Sequence, residues 1–136
     1  MMETRDGASG RRLHHVALGS RDVERLAAFY SQIFGLAELQ RFVAADGALR
    51  SIWLDLGGAI FMVERTDEPP RFVDGVGAGP FLLAFQVSPA ERWQIESALE
   101  RAGVLVEGRT GFTSYARDPD NNRFAFSHYP EPGVPR

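Results

Sequence analysis

Two residue types are missing from this sequence of 136 residues: it has no cysteine and no lysine. Without cysteine there can be no disulfide, no thiolate nucleophile and no cysteine zinc site. The sequence has 15 arginines, and these are scattered rather than gathered into a basic stripe. Together with a net charge of −3 at pH 7, this scatter argues against nucleic acid as a partner.

A long apolar run is missing as well, since no stretch approaches the ~18 apolar residues of a membrane span. The first twelve residues are polar and lack the apolar centre of a secretory signal. We therefore expect a cytoplasmic protein with no membrane partner. Residues 1–12 and the tail 130–136 are rich in glycine, proline and charge, and are predicted to be disordered ends around one domain at 13–129.

The first half of the domain begins with a predicted strand and helix. Residues 13–19 alternate as a strand does, and the spacing changes at Ser20 to that of an amphipathic helix. Ser20 or Asp22 is the expected N-cap, and Gly35 is placed where a helix commonly ends in a left-handed residue. The apolar stripe predicted to enter the core comprises Val23, Leu26, Ala27, Tyr30, Ile33 and Phe34.

The remaining elements follow the same plan twice. Strands are predicted at 36–44, 48–56 and 59–65, followed by a loop at 66–79 that is rich in proline and glycine. The second half has a strand at 80–87 and a helix that starts at a capping box and ends near Gly103, with Ile95, Ala98, Leu99 and Ala102 facing the core. Ser88, Pro89 and Glu91 form that capping box. Three further strands are predicted at 104–110, 112–117 and 123–129.

Two segments of this repeated plan resemble a known family. The segment HHVALGSRDVERLAAFYSQIFGL and the turn and strand RDPDNNRFAF are similar to the opening and closing motifs of the vicinal-oxygen-chelate superfamily, the glyoxalase, bleomycin-resistance and dioxygenase group. The resemblance covers about residues 13–129. It implies an α+β fold of two tandem βαβββ modules, at 13–65 and 80–129 with a linker at 66–79, that form a half-barrel cup.

In that family the cup holds a divalent metal on the first and fourth strand of each module. The resemblance puts His15, Met62, Leu82 and Ala125 at those four positions. Only His15 offers a donor for a hard or borderline metal, because a thioether suits Cu(I) and leucine and alanine have no lone pair. No metal cofactor is therefore expected, with His15 the only matching ligand. A bound divalent metal stays open as the less favoured alternative.

Three nearby residues are candidates to replace the missing ligands. Glu64 shares the strand parity of Met62, but two residues move its backbone ~6–7 Å along the strand, toward the rim. Strand alternation turns His14 away from His15, and turns His128 to the helix side with Phe124 and Phe126. Glu64 is the only possible substitute among them.

The predicted cup lining is mostly apolar with a few polar groups, which suits a small organic ligand. Trp53 and Tyr115 are able to stack on a ring, and Arg117 or Arg50 to bind a carboxylate or phosphonate. The alternative is that these side chains only fill the cup or the surface. The candidate ligand-binding residues are His15, Trp53, Ile60, Met62, Leu82, Gln86, Tyr115, Arg117 and Ala125.

The favoured function is binding of a small, partly apolar or aromatic ligand by a family member with a degenerate metal site. A metal-dependent lyase or dioxygenase is one alternative. A metal-free enzyme that uses His15, the best catalytic candidate, with Tyr115 and an arginine is another. A homodimer is expected because open half-barrels leave strand edges to cover.

Overall fold

The computed structural model describes residues 10–133, which form eight strands and two helices. The elements in chain order are β1 (His15–Ser20), α1 (Val23–Phe34), β2 (Glu38–Val43), β3 (Leu49–Asp55), β4 (Ile60–Arg65), β5 (Leu83–Gln86), α2 (Pro89–Arg101), β6 (Gly108–Arg109), β7 (Thr113–Arg117) and β8 (Arg123–Ser127). The predicted α+β class and the doubled βαβββ order are confirmed. The predicted disordered ends fall largely on residues 1–9 and 134–136, which lie outside the described residues.

The chain divides into two compact units between Glu68 and Pro69. The first unit contains a four-stranded sheet in the order β1-β4-β3-β2, and the second contains one in the order β5-β8-β7-β6. In each sheet the first pair is parallel and the other two pairs are antiparallel. Both sheets are open rather than closed into a barrel, so each has two edge strands.

In the first unit, α1 covers one face of its sheet. The Asp22 side chain accepts from the Arg25 amide at 3.1 Å, as an N-cap should, and Gly35 ends the helix with φ 69°. The Tyr30 ring packs 4.6 Å from the Phe61 ring. The sheet residues that α1 covers are at most 1% exposed: Ile52, Leu54, Phe61 and Val63. Five residues of the predicted helical stripe are buried, and Phe34 is half-buried.

In the second unit, α2 begins at the predicted capping box. The Ser88 hydroxyl accepts from the Glu91 amide at 3.1 Å, and the Glu91 carboxylate accepts from the Ser88 amide at 2.7 Å. Ala102 caps the C-terminus, and Gly103 follows with φ 75°. The caps therefore fix both ends of the helix where the sequence places them.

The buried face of α2 differs from the prediction. Ile95 and Leu99 are buried, but Ala102 is exposed, and Arg92 and Glu96 are 2% and 3% exposed. Two charged side chains thus occupy a face that was predicted to be apolar. The burial of these two charges is tolerated because polar groups from distant segments form hydrogen bonds with them.

Arg92 uses all of its guanidinium donors inside the unit. It donates to the Ser114 hydroxyl at 2.9 Å, to the carbonyls of Thr110, Gly111 and Thr113 at 2.9–3.1 Å, and to His128. Burial lowers the pKa of Arg92. This side chain binds α2 to the turn that precedes β7 and to the end of β8.

Glu96 completes the buried network from the next turn of α2. Its carboxylate accepts from the Ser114 hydroxyl at 2.5 Å and from Arg109 at 2.8 Å. The hydrogen bond to Glu96 raises the pKa of Arg109. Strand β6 is therefore held to α2 as well as to β7.

The predicted strand at 104–110 is wrong in length, since only Gly108 and Arg109 pair with β7. The four residues before them are irregular, and Leu105 is 79% exposed. The left-handed turn at Gly103 directs the chain past the end of the sheet before pairing starts.

Neither helix of the described residues is long and apolar enough to cross a membrane.

Candidate functional site

The face of the first sheet that α1 leaves uncovered is defined by strand register. Directly paired residues share a face, so Ala17, Met62, Trp53 and Gln40 form one row across the sheet. The neighbouring rows are Gly19, Glu64, Ser51 and Phe42 on one side, and His15, Ile60 and Asp55 on the other. We call these three rows the first face. The alternation predicted for His15, Ile60 and Met62 agrees with this register.

Glu64 is tied to its neighbour on the first face. Its carboxylate accepts a hydrogen bond from the Ser51 hydroxyl, and Ser51 is 2% exposed. Glu64 pairs with Gly19 of β1, one row away from Met62. The structure therefore places Glu64 in the row next to the predicted ligand position, where it already has a partner.

Trp53 lies at the centre of the first face. Its ring is 4.9 Å from the ring of Phe42 on the edge strand β2, at an interplanar angle of 57°. Its indole Nε1 is buried and has no hydrogen-bond partner within the described residues. Trp53 was predicted to stack on a ligand ring, whereas Phe42 was not predicted, although strand parity on β2 identifies it.

The prediction that His14 points away from His15 is wrong. The two Nδ1 atoms are 2.9 Å apart, in hydrogen-bonding distance, and the rings meet edge to face at 5.2 Å. Side chains do not alternate regularly at this point, because the strand begins only at His15. Both histidines are exposed, so the pair lies at the open start of β1.

His128 lies on the helix side of the second sheet, as predicted. Arg92 must donate, so its Nη1 donates to His128 Nε2 at 3.1 Å. The ring proton therefore belongs to Nδ1, which donates to the Glu131 carbonyl at 2.7 Å. Both ring nitrogens are used, and the side chain is 3% exposed.

The uncovered face of the second sheet is smaller and more apolar at its centre. One row contains Ala84, Ala125, Tyr115 and Gly108, and the next contains Gln86, Ser127 and Thr113. We call these rows, together with Arg117 and Arg123, the second face. Leu82 precedes the first residue of β5, and Ala125 is 1% exposed.

The arginines of the second face are partly occupied. Arg117 donates to the carbonyls of Val73 and Asn121 at 2.9 and 3.0 Å, and its guanidinium lies 4.3 Å from the centre of the Phe72 ring. Arg123, which is not among the predicted ligand-binding residues, stacks over Tyr115 at 4.6 Å. Arg50 is exposed and lies between Leu49 and Ser51, where the register of β3 with β2 shifts.

Glu107 connects the two arginines. Its carboxylate accepts from Arg123 at 2.9 Å and lies 3.4 Å from the Nε of Arg117. This carboxylate offsets one of the two positive charges at that end of the second face. Arg117 therefore anchors the 72–74 loop. A ligand that binds its guanidinium would compete with the loop and with Glu107.

Metal-binding side chains do not cluster in the part of the chain that the structure describes. Residues 10–133 contain no group of three or more histidine, aspartate and glutamate side chains arranged to hold an ion. The four positions that the sequence resemblance predicts for metal ligands hold an imidazole, a thioether and two aliphatic side chains, at His15, Met62, Leu82 and Ala125. That donor set does not fit a hard or borderline divalent metal.

Two shallow grooves lie away from both faces. One, of about 220 Å³, runs between α1 and the first sheet and is lined by Glu24, Ser31 and Ile52 among others. The other, of about 420 Å³, lies beside the C-terminal end of α2 and is lined by Glu100, Leu105 and Arg109 among others. None of the predicted ligand-binding residues lines either groove.

The chain is similar to one protein family in sequence and to several solved structures in fold. Residues 12–126 match the family model described as glyoxalase/bleomycin resistance protein/dioxygenase superfamily. No protein of curated function matches. Among solved structures, a fosfomycin resistance protein, FosX, from Listeria monocytogenes is similar with a TM-score of 0.71 and 21% identity, covering 85% of this chain and 90% of that one.

Two other solved structures have the same architecture. Lactoylglutathione lyase from Agrobacterium tumefaciens gives a TM-score of 0.65 at 20% identity, over 87% of this chain and 93% of that one. A glyoxalase/dioxygenase from Nostoc punctiforme gives 0.67 at 22% identity, over 92% and 95%. At these identities the likeness concerns the fold.

Proposed function

The chain belongs to the glyoxalase/bleomycin resistance protein/dioxygenase superfamily, and from that membership we propose that it binds a small, partly apolar or aromatic organic molecule without a metal. We assign ligand-binding residues on each uncovered sheet face by itself, with His15, Trp53, Ile60 and Met62 on the first. On the second we assign Gln86, Tyr115, Arg117 and Ala125, with Leu82 beside them. The observation that carries the proposal is that three of the four predicted metal-ligand positions hold apolar side chains, at Met62, Leu82 and Ala125.

The composition of the faces supports this ligand class. Met62 and Ile60 are half-buried on the first face, beside the Trp53 and Phe42 rings. Ala84, Ala125 and Tyr115 form the central row of the second. A mostly apolar lining with few polar groups is typical of sites for small organic ligands.

A metal-dependent lyase or dioxygenase is the less favoured alternative. Such chemistry needs a Lewis acid to polarise the substrate oxygens, and three of the four ligand positions offer no suitable donor. A metal-free enzyme would need a general acid or base beside the ligand. His15 is the best candidate for that role, but its ring contacts His14 rather than an acidic partner.

We propose that the protein is a homodimer, because both sheets are open and leave edge strands unpaired within their units. Exposed apolar residues on β2, Leu39 at 50% and Val43 at 58%, add to that edge. Sedimentation equilibrium should give twice the chain mass. A single-chain mass at micromolar concentration would contradict the dimer and leave the ligand proposal intact.

Ligand binding is tested by a screen of dye, aromatic and antibiotic compounds, with anilinonaphthalene sulfonate fluorescence as the first readout. Ala17 and Ala84 are exposed, one on each face, so tryptophan is accommodated there without repacking a core. Ala17→Trp should abolish saturable binding to the first face, and Ala84→Trp should abolish saturable binding to the second. The matched control Ala90→Trp, exposed on α2, should keep it. Equal binding by all three variants would overturn the assigned site, and no saturable binding of any compound would overturn the function.

A further inference from the structure

The indole N–H of Trp53 is a buried donor without an acceptor among the described residues. Nearly all buried polar groups in folded proteins have a hydrogen-bond partner, and an orphaned donor costs the folded state its lost hydration. A phenylalanine would fill a similar volume without this cost. A half-buried tryptophan whose indole N–H is buried and has no acceptor among residues 10–133 therefore calls for a partner from beyond the described part of the chain.

The neighbours of Trp53 cannot supply that acceptor as they stand. Gln40 is next to it in the same row, but its side chain is exposed and makes no bond to the indole. The acidic groups in the two neighbouring rows are Glu64, whose carboxylate accepts from Ser51, and Asp55, whose carboxylate accepts from the Gly57 amide. Met62, on the other side of Trp53, offers only a weak thioether acceptor.

We propose that Trp53 Nε1 donates a hydrogen bond to the bound ligand, and that the ligand is a neutral planar apolar molecule with a carbonyl oxygen or a ring nitrogen as acceptor. This inference rests on the proposed function, because it concerns the same first face. The Phe42 ring, 4.9 Å from the Trp53 ring, provides the apolar surface on which such a molecule would pack.

Access to the buried atom requires one side chain to move, and Phe42 is the best placed. It lies on the edge strand β2, where the register with β3 shifts between Phe42 and Val43, and it is half-buried. A side chain at an irregular strand edge changes rotamer at lower cost than one in a central strand. The ligand ring would replace part of the Phe42 contact with Trp53.

The charge of the first face selects against an anionic acceptor. Its rows carry the carboxylates of Glu64 and Asp55 and no arginine. A carboxylate ligand would meet like charge in a partly buried setting, where repulsion is weakly screened. A neutral carbonyl gives Trp53 its acceptor without that penalty.

The experiment uses two pairs of probes matched in shape: acetophenone with alpha-methylstyrene, and quinoline with naphthalene. Only the first member of each pair has the acceptor. The chain has 2 tryptophans, so a proton–nitrogen correlation spectrum of the full protein shows two indole signals. Trp93→Phe, a matched substitution in the second unit, assigns the Trp53 signal and serves as the control for affinity.

In the wild type, the acceptor probes should shift the Trp53 indole proton downfield and bind about tenfold more tightly than their partners, the factor expected for one hydrogen bond of ordinary net strength. Trp53→Phe should remove that difference, and Trp93→Phe should keep it. Benzoate should bind more weakly than acetophenone. The indole shift is read in the unaltered protein, so the test holds even if Trp53→Phe folds poorly.

Three results would overturn the inference, and they are distinguishable. If the probes bind and Trp53→Phe keeps the full preference for the acceptor members, the Trp53 donor is not used and the proposed function stands. If no probe binds the wild type saturably, the ligand-binding function fails together with the role of Trp53. Tighter binding of benzoate than acetophenone would contradict the neutral ligand class.

Discussion

Arg92 Nη1 donates to His128 Nε2 across 3.1 Å, and this contact joins α2 to the residue that follows β8. His128 in turn donates to the Glu131 carbonyl, so the helix, the sheet and the segment after it share one buried network. A histidine held in this way on the helix side has no free nitrogen for a metal or a substrate. Its role is to anchor the second unit.

Arg92→Met should destabilise the protein by about 3–5 kcal/mol, the range for breaking a buried charged network. The carbonyls of Thr110, Gly111 and Thr113 would lose their donor, and the Glu96 carboxylate would lose a neighbouring cation. Urea unfolding measures the change in free energy. Arg25→Met is the control, because Arg25 is exposed on α1. Equal unfolding midpoints for the two variants would show that the network contributes little.

Arg117→Met should loosen the loop at 72–74 without unfolding the second unit. The variant keeps the aliphatic stem but loses the bonds to Val73 and the stacking on Phe72. Trypsin should then cleave the bond after Arg71 several-fold faster, because cleavage follows local opening. Arg123→Met removes a neighbouring arginine that does not contact this loop, and should leave the rate unchanged. Unaltered cleavage of Arg117→Met would mean that other contacts hold the loop.

Ser88→Ala should cost about 1 kcal/mol, the usual effect of removing an N-cap. It leaves the Glu91 amide without its acceptor at the start of α2. Because the two side chains act as a reciprocal box, a double-mutant cycle with Glu91→Ala, followed by thermal unfolding, should give a coupling energy different from zero. Ser97→Ala, in the middle of the same helix, should be neutral or slightly stabilising. Additive effects at Ser88 and Glu91 would contradict a coupled box.

Local patterns predicted most of the fold, because helix caps and strand alternation depend on neighbouring residues. The Asp22 and Ser88 caps and the parity of Met62 and Ala125 are of this kind. The His14 error shows the limit of the method, since alternation applies only where the strand is regular.

The wrong prediction for the buried face of α2 depends on distant partners. Burying Arg92 and Glu96 needs hydrogen-bonding groups from remote segments, and for Arg92 these include Ser114 and His128, which lie 22 and 36 residues away in the sequence. The sequence does not show that those groups will meet. For the same reason the sequence does not show that the Trp53 indole has no acceptor among the described residues.

This chain belongs to the superfamily, and we propose that it binds no metal at His15, Met62, Leu82 and Ala125. The test is elemental analysis of untagged protein that is purified without chelator, offered nickel, zinc, manganese and iron(II), and then desalted. We expect that no divalent metal is retained in stoichiometric amount. Retention of about one equivalent per chain that is lost in His15→Ala would contradict it, and a matching loss in His14→Ala would locate that metal at the contact between the two histidines.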